Sequence, residues 1–64
     1  MKIEFIYENE TKPFKTITST ATFKNGDCTE IDEQLFEVIN INYTVMGDNI
    51  FMKVFVKSIG KSFL

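Results

Sequence analysis

Along the chain, apolar positions are densest between Ile41 and Ser58, in the stretch INYTVMGDNIFMKVFVKS. Two runs rich in Ile, Val, Phe, Tyr and Met flank Gly47-Asp48-Asn49, the pattern of a β-hairpin. A two-residue Gly47-Asp48 turn, with the glycine free to take φ > 0 in type II′ geometry, sets Val45 opposite Ile50, Tyr43 opposite Met52 and Ile41 opposite Val54. All six are apolar and share one face, expected to be the buried one. A three-residue loop would set Tyr43 against Lys53 and mix the faces, which a buried face penalises heavily. The opposite face carries Asn40, Asn42 and Thr44 on the first run, and Phe51, Lys53, Phe55 and Lys57 on the second. That aromatic–lysine alternation supports two expectations. The preferred one is a central strand whose Phe face is covered by a helix, with the lysine stems lying along apolar surface. The other is an exposed contact patch, or a stacking platform for bases with lysines on the phosphates.

Upstream, Lys2 to Tyr7 alternates with Ile3, Phe5 and Tyr7 on one side, a strand pattern. The polar segment Glu8 to Pro13 reads as a loop. Phe14 to Lys24 reads as a second strand, with Ile17, Ala21 and Phe23 on one face and Thr16, Thr18, Thr20 and Thr22 on the other. Asn25-Gly26 is a type I′ turn signal, either closing a hairpin into Cys28 to Ile31 or ending the strand ahead of a helix. Thr29 to Asn40 is the one helix candidate. Thr29 would cap it, Glu30, Asp32 and Glu33 would favour its positive end, and Ile31, Leu35, Val38 and Ile39 would form its apolar stripe. On that helix Glu30, Glu33 and Glu37 line up as an acidic stripe, a second candidate surface for a basic partner. The competing reading makes Leu35 to Met46 one long strand, at the expense of Glu37 on its apolar face and of Phe36 and Val38 on its polar one. In the tail, Gly60 is expected to end the last strand and Phe63-Leu64 to tuck under the sheet.

These elements give one domain over residues 1–64 of α+β class: ββαββ, a four-stranded antiparallel sheet with one helix packed on one face. An all-β small barrel or sandwich is the alternative, and follows if Leu35 to Met46 is a strand.

Composition then narrows the chemistry. A chain of 64 residues buries only ~60% of the surface its unfolded state exposes, so its core is small. Disulfides within the chain are excluded, since Cys28 is the single cysteine, and the absence of His excludes a cysteine–histidine zinc site. Cys28 is expected as a small packing residue. Without His there is no ordinary general base near neutral pH, and without Arg there is no bidentate fork for guanine or phosphate. The expectation is therefore no enzyme, no cofactor and no metal. The charge is uneven: residues 1–37 hold eight acids against four lysines, whereas residues 38–64 hold Asp48 against Lys53, Lys57 and Lys61. The N-terminus MKIEFIYENE, broken by Glu4 and Glu8, reads as neither signal peptide nor membrane span. With a lone thiol this leads to an expected cytoplasmic location. Abundant Ile, Lys, Phe and Asn without Arg or Trp suggest an AT-rich coding sequence, as in a low-GC bacterium or its phage.

The function expected from this is a small non-enzymatic protein-binding module, an accessory, adaptor or inhibitor protein of phage or mobile-element type that acts by surface contact. Its candidate surfaces are Phe51, Lys53, Phe55 and Lys57, and Glu30, Glu33 and Glu37. The alternatives are a single-stranded nucleic-acid binder using the aromatic–lysine strand, and a structural subunit of a homo-oligomer. Negative net charge and the lack of Arg weigh against nucleic acid.

Overall fold

The computed structural model describes residues 1–61, and all five of its regular elements are strands: β1 (Lys2–Tyr7), β2 (Lys15–Thr18), β3 (Cys28–Ile31), β4 (Gln34–Met46) and β5 (Asn49–Lys61). They form one mixed sheet in the order β2-β1-β5-β4-β3, curled into a half-barrel. The α+β expectation is thus corrected to its all-β alternative. Among the described residues there is no helix, and β1 joins β5 in parallel at the centre of the sheet rather than pairing only within an antiparallel ladder.

Residues 34–46 are a strand because a bulge reconciles their mixed pattern. Val38 pairs with Val56 and Asn40 with Phe55, which leaves Ile39 as an extra residue in β4. One inserted residue reverses which face the following side chains occupy. Phe36 and Val38 before the bulge, and Ile41 after it, therefore all face the core. The strand objection that Phe36 and Val38 would be on the polar side disappears. The same parity break had produced the helix-like spacing of Ile31, Leu35, Val38 and Ile39. The β-branched content of Val38, Ile39, Ile41, Thr44 and Val45 suits the extended form.

The first turn of the expected helix is instead the β3–β4 turn. Asp32 has φ 50° and Glu33 has φ 69°, the positive pair that a type I′ hairpin requires. Neither residue is a glycine, so the turn is strained, more at Glu33 than at Asp32. The β4–β5 turn follows the sequence: Gly47 has φ 61°, and Val45–Ile50, Tyr43–Met52 and Ile41–Val54 are paired as the two-residue turn demands.

The segment from Phe14 to Lys24 is a strand only from Lys15 to Thr18. The chain then crosses irregularly to a turn at Asn25-Gly26, where the Asp27 amide donates to the Lys24 carbonyl at 3.0 Å. That turn closes neither a hairpin with the preceding segment nor a helix entry; β3 pairs forward with β4. Gly60 does not end β5, which runs on to Lys61; it sits at a second bulge, beside the unpaired Ile59, at φ 147°. The expectation for Phe63-Leu64 lies outside the described residues.

The core lies inside the curl. Ile3, Val38, Met52, Val54 and Val56 are wholly buried, with Phe5, Phe36 and Ile31 beside them. Phe14 stacks on Tyr7 at 4.3 Å between ring centres and approaches Phe36 at 5.4 Å, while Phe23 meets Phe5 edge-on at 5.6 Å. These loop aromatics fill the mouth that a single sheet leaves open. The two edges approach each other there, and Lys15 reaches Asp32 at 3.3 Å. Both side chains are well exposed, so the pair contributes at most ~1 kcal/mol.

Replacing Glu33 by Gly gives the turn an Asp-Gly pair and removes the strain at φ 69°. The expected result is a gain of about 1 kcal/mol, a rise in melting temperature of roughly 4–8 °C for a domain of this size. Replacing Gly47 by Ala, where no atom obstructs an added Cβ, should cost about 1 kcal/mol through the backbone alone. Thermal unfolding followed by circular dichroism measures both.

Candidate protein-interaction surface

Because the sheet curls towards one side only, its other face has no covering layer among the described residues. The expected helix over the Phe face of β5 is absent. Phe51, Lys53 and Phe55 are half-buried among their strand neighbours and Lys57 is exposed. The four residues do share a face, as the alternation of β5 implies.

The registers of β1 and β4 place a row of side chains on each side of them. Phe51 lies between Lys2 and Thr44, Lys53 between Glu4 and Asn42, and Phe55 between Ile6 and Asn40. Lys57 pairs across with Glu37, their Nζ and Oε1 atoms 3.3 Å apart. Lys2 places its Nζ 5.4 Å from the centre of the Phe51 ring, a cation–π contact. Ile6 is only 1% exposed although it lies on this face, outside the core cluster, beside Phe55. The surface is thus two aromatic rings two alternation periods apart with Lys53 between them, framed by amide and hydroxyl side chains, in which each lysine has an acid or a ring next to it.

The contribution of β1 was not apparent from the sequence. Lys2, Glu4 and Ile6 carry a polar-face signal of their own, but nothing local says that they border Phe51 to Phe55. The acidic stripe is not assembled. Glu30 is on edge strand β3, Glu33 is in the strained turn, and Glu37 is on β4 with its charge turned to Lys57. These three carboxylates were aligned only by the helix that does not form. Among the described residues no group of three His, Cys, Asp or Glu side chains is placed to hold a metal ion. Cys28 is exposed rather than packed, opposite Glu37.

The hairpin end also departs from expectation. Tyr43, Val45 and Ile50 were expected on the buried face, yet they are 55%, 67% and 49% exposed. Two truncations account for this: the β1 ladder begins at Lys2–Phe51, so no strand flanks β5 at Ile50, and β3 covers β4 only as far as Glu37, which leaves Tyr43 and Val45 on an open edge. The hairpin projects past the core, and the molecule extends 41 Å along its longest axis.

The two phenylalanines should differ in structural weight. Phe55→Ala uncovers Ile6 and is expected to cost about 2 kcal/mol, whereas Phe51→Ala, between Lys2 and Thr44, should cost about 1 kcal/mol or less. Urea unfolding of the two single variants makes the comparison. No family model, curated protein or solved structure matches this chain.

Proposed function

We propose that this chain is a small non-enzymatic protein-binding module that works through the outer face of β5, with Phe51 and Phe55 as the anchors. One observation carries this reading: the central strand of the sheet presents two aromatic rings on a face that nothing in the described chain covers. Aromatic side chains on an otherwise polar face are the usual anchors of a protein contact. Lys53, between the two rings, and Lys57, at their end, supply orientation rather than affinity.

The local charges separate this from nucleic-acid binding. A phosphate backbone needs lysines free to displace counterions. Here Lys57 is bound to Glu37, and Lys53 has Glu4 as its register neighbour. The single-strand reading keeps one favourable feature, the cation–π pair of Lys2 and Phe51 next to the alternating rings. The chain is placed in the cytoplasm of a low-GC bacterium or its phage-infected host as part of this proposal, on the lone thiol and the AT-rich composition. The structure adds that no helix among the described residues is long and apolar enough to cross a membrane.

The test is capture from a bacterial lysate with immobilised protein, in parallel with the Phe51→Ala/Phe55→Ala variant, each with and without nuclease. A protein partner that survives nuclease and is lost with the double variant, while the variant stays folded by circular dichroism, is the expected outcome. Capture that vanishes with nuclease, together with steep salt dependence of oligonucleotide affinity, would replace this reading with the single-strand one. Capture unchanged by the double variant removes the Phe face from the function.

A further inference from the structure

We infer that the free edge of β4, from Asn40 to Met46, is a self-association edge that pairs antiparallel with the same edge of a second copy, with Thr44 on the two-fold axis. The inference is independent of the Phe face, because it uses the backbone of a different strand.

β4 is bordered by β5 along its whole length, but β3 covers its other side only from Gln34 to Glu37. The Gly26 and Asp27 backbone extends that cover to Val38. Beyond it, no backbone of the described residues bonds to residues 39–46 on that side. Which groups are left free follows from the turn. A two-residue hairpin turn is closed by a hydrogen-bonded pair, here Met46–Asn49, and such pairs alternate along an antiparallel ladder. Met46, Thr44 and Asn42 therefore bond inward to β5, while Val45, Tyr43 and Ile41 direct their N–H and C=O groups outward. The side chain of Asn40 confirms the parity: its Oδ1 accepts from the outward Ile41 amide at 3.0 Å. The complete donor–acceptor sets still open are those of Tyr43 and Val45.

That inventory selects one register. If Tyr43 of one copy faces Val45 of the other, each pair exchanges two hydrogen bonds, and the two-fold repeats the exchange, so all four open amide and carbonyl sets are satisfied. The axis then passes between the two Thr44 residues. An axis at Tyr43 would instead set Val45 against Ile41, whose amide is already taken. A two-fold perpendicular to the sheet keeps like faces together, so the exposed Tyr43 and Val45 side chains of the two copies lie side by side.

Charge and composition favour a second copy as the occupant. There is no charged residue between Glu37 and Asp48, so two identical edges meet without like charges opposed. The stretch also lacks the devices that protect edges, such as lysine, proline or a short strand. The sheet's other two edges have them: β2 and β3 are four residues each, β2 carries Lys15 two residues after Pro13, and β3 carries Glu30. The edge from Asn40 to Met46 offers far fewer residues than the ~20–30 a side of a standard stable interface, so a dimer that forms and dissociates with concentration is expected.

The test is sedimentation velocity of the full chain over a concentration range of ~10 μM to ~1 mM, where so small an interface should show its transition. The wild type is expected to pass from monomer to dimer, and Val45→Lys to weaken association at least ~tenfold without loss of the β circular-dichroism signal. A second measurement locates the axis. In a Cys28→Ser background, Thr44→Cys should form an intermolecular disulfide with oxidised glutathione much faster than Asn42→Cys. Directly opposed residues of a non-hydrogen-bonded pair lie ~4.5 Å apart at Cα, within disulfide reach. A monomer throughout the range, a Val45→Lys variant that dimerises like wild type, a dimer abolished by Phe51→Ala/Phe55→Ala, or equal cross-linking at Asn42 each overturns the inference.

Discussion

The core exists because β4 carries one residue more than β5 needs. With strict alternation, Phe36 and Val38 would face away from Ile41, and the strand could bury one set only. The extra Ile39 lets Phe36, Val38 and Ile41 all point inward across from Val54 and Val56. A bulge of this kind also bends the strand and increases its twist. Burial of both halves of β4 and the curl of the sheet thus have a common local cause. Each fully buried side chain of this kind contributes ~1.5–3 kcal/mol, a large share of the stability of so short a chain.

A single sheet with no second layer must fold its apolar face onto itself. In this protein the ends of the curl are filled by Phe14 and Phe23, which come from irregular segments, and by the proximity of Lys15 and Asp32. The same economy leaves the outside of the sheet bare. Phe51 and Phe55 lie half-buried on the outer face for the reason that Met52 and Val54 are buried on the inner one: neighbouring residues of a strand face opposite ways, and the described residues form only one layer. The proposed binding face is therefore a consequence of single-layer packing as much as of local sequence.

The length of the β4–β5 hairpin produces a second kind of exposure. Thirteen-residue strands at ~3.3 Å per residue outrun the six-residue β1 laid against them. What projects from β4 is largely apolar, carries no charge before Asp48, and is unpaired on one side among the described residues. The short edges β2 and β3 show the opposite treatment, with charge and proline near them. The contrast within one sheet distinguishes an edge open to pairing from edges closed to it.

By itself the sequence determined what depends on neighbours in the chain. The extent of β1, the two-residue turn at Gly47-Asp48, the hairpin register and the shared face of Phe51, Lys53, Phe55 and Lys57 all follow from local alternation and from a glycine at a positive-φ position. Tertiary structure decided what local patterns leave ambiguous. Residues 29–40 satisfy helical spacing and capping, and a bulge that reverses parity looks like helical periodicity when seen without its partner strand. Asp32-Glu33 gives no clear turn signal, because Asp tolerates positive φ but Glu at the second position does not favour it; the pairing of β3 with β4 imposes it. The parallel contact of β1 with β5 joins residues about fifty positions apart in the chain. No local preference encodes such a contact, since its stabilisation comes only from the apolar faces it brings together.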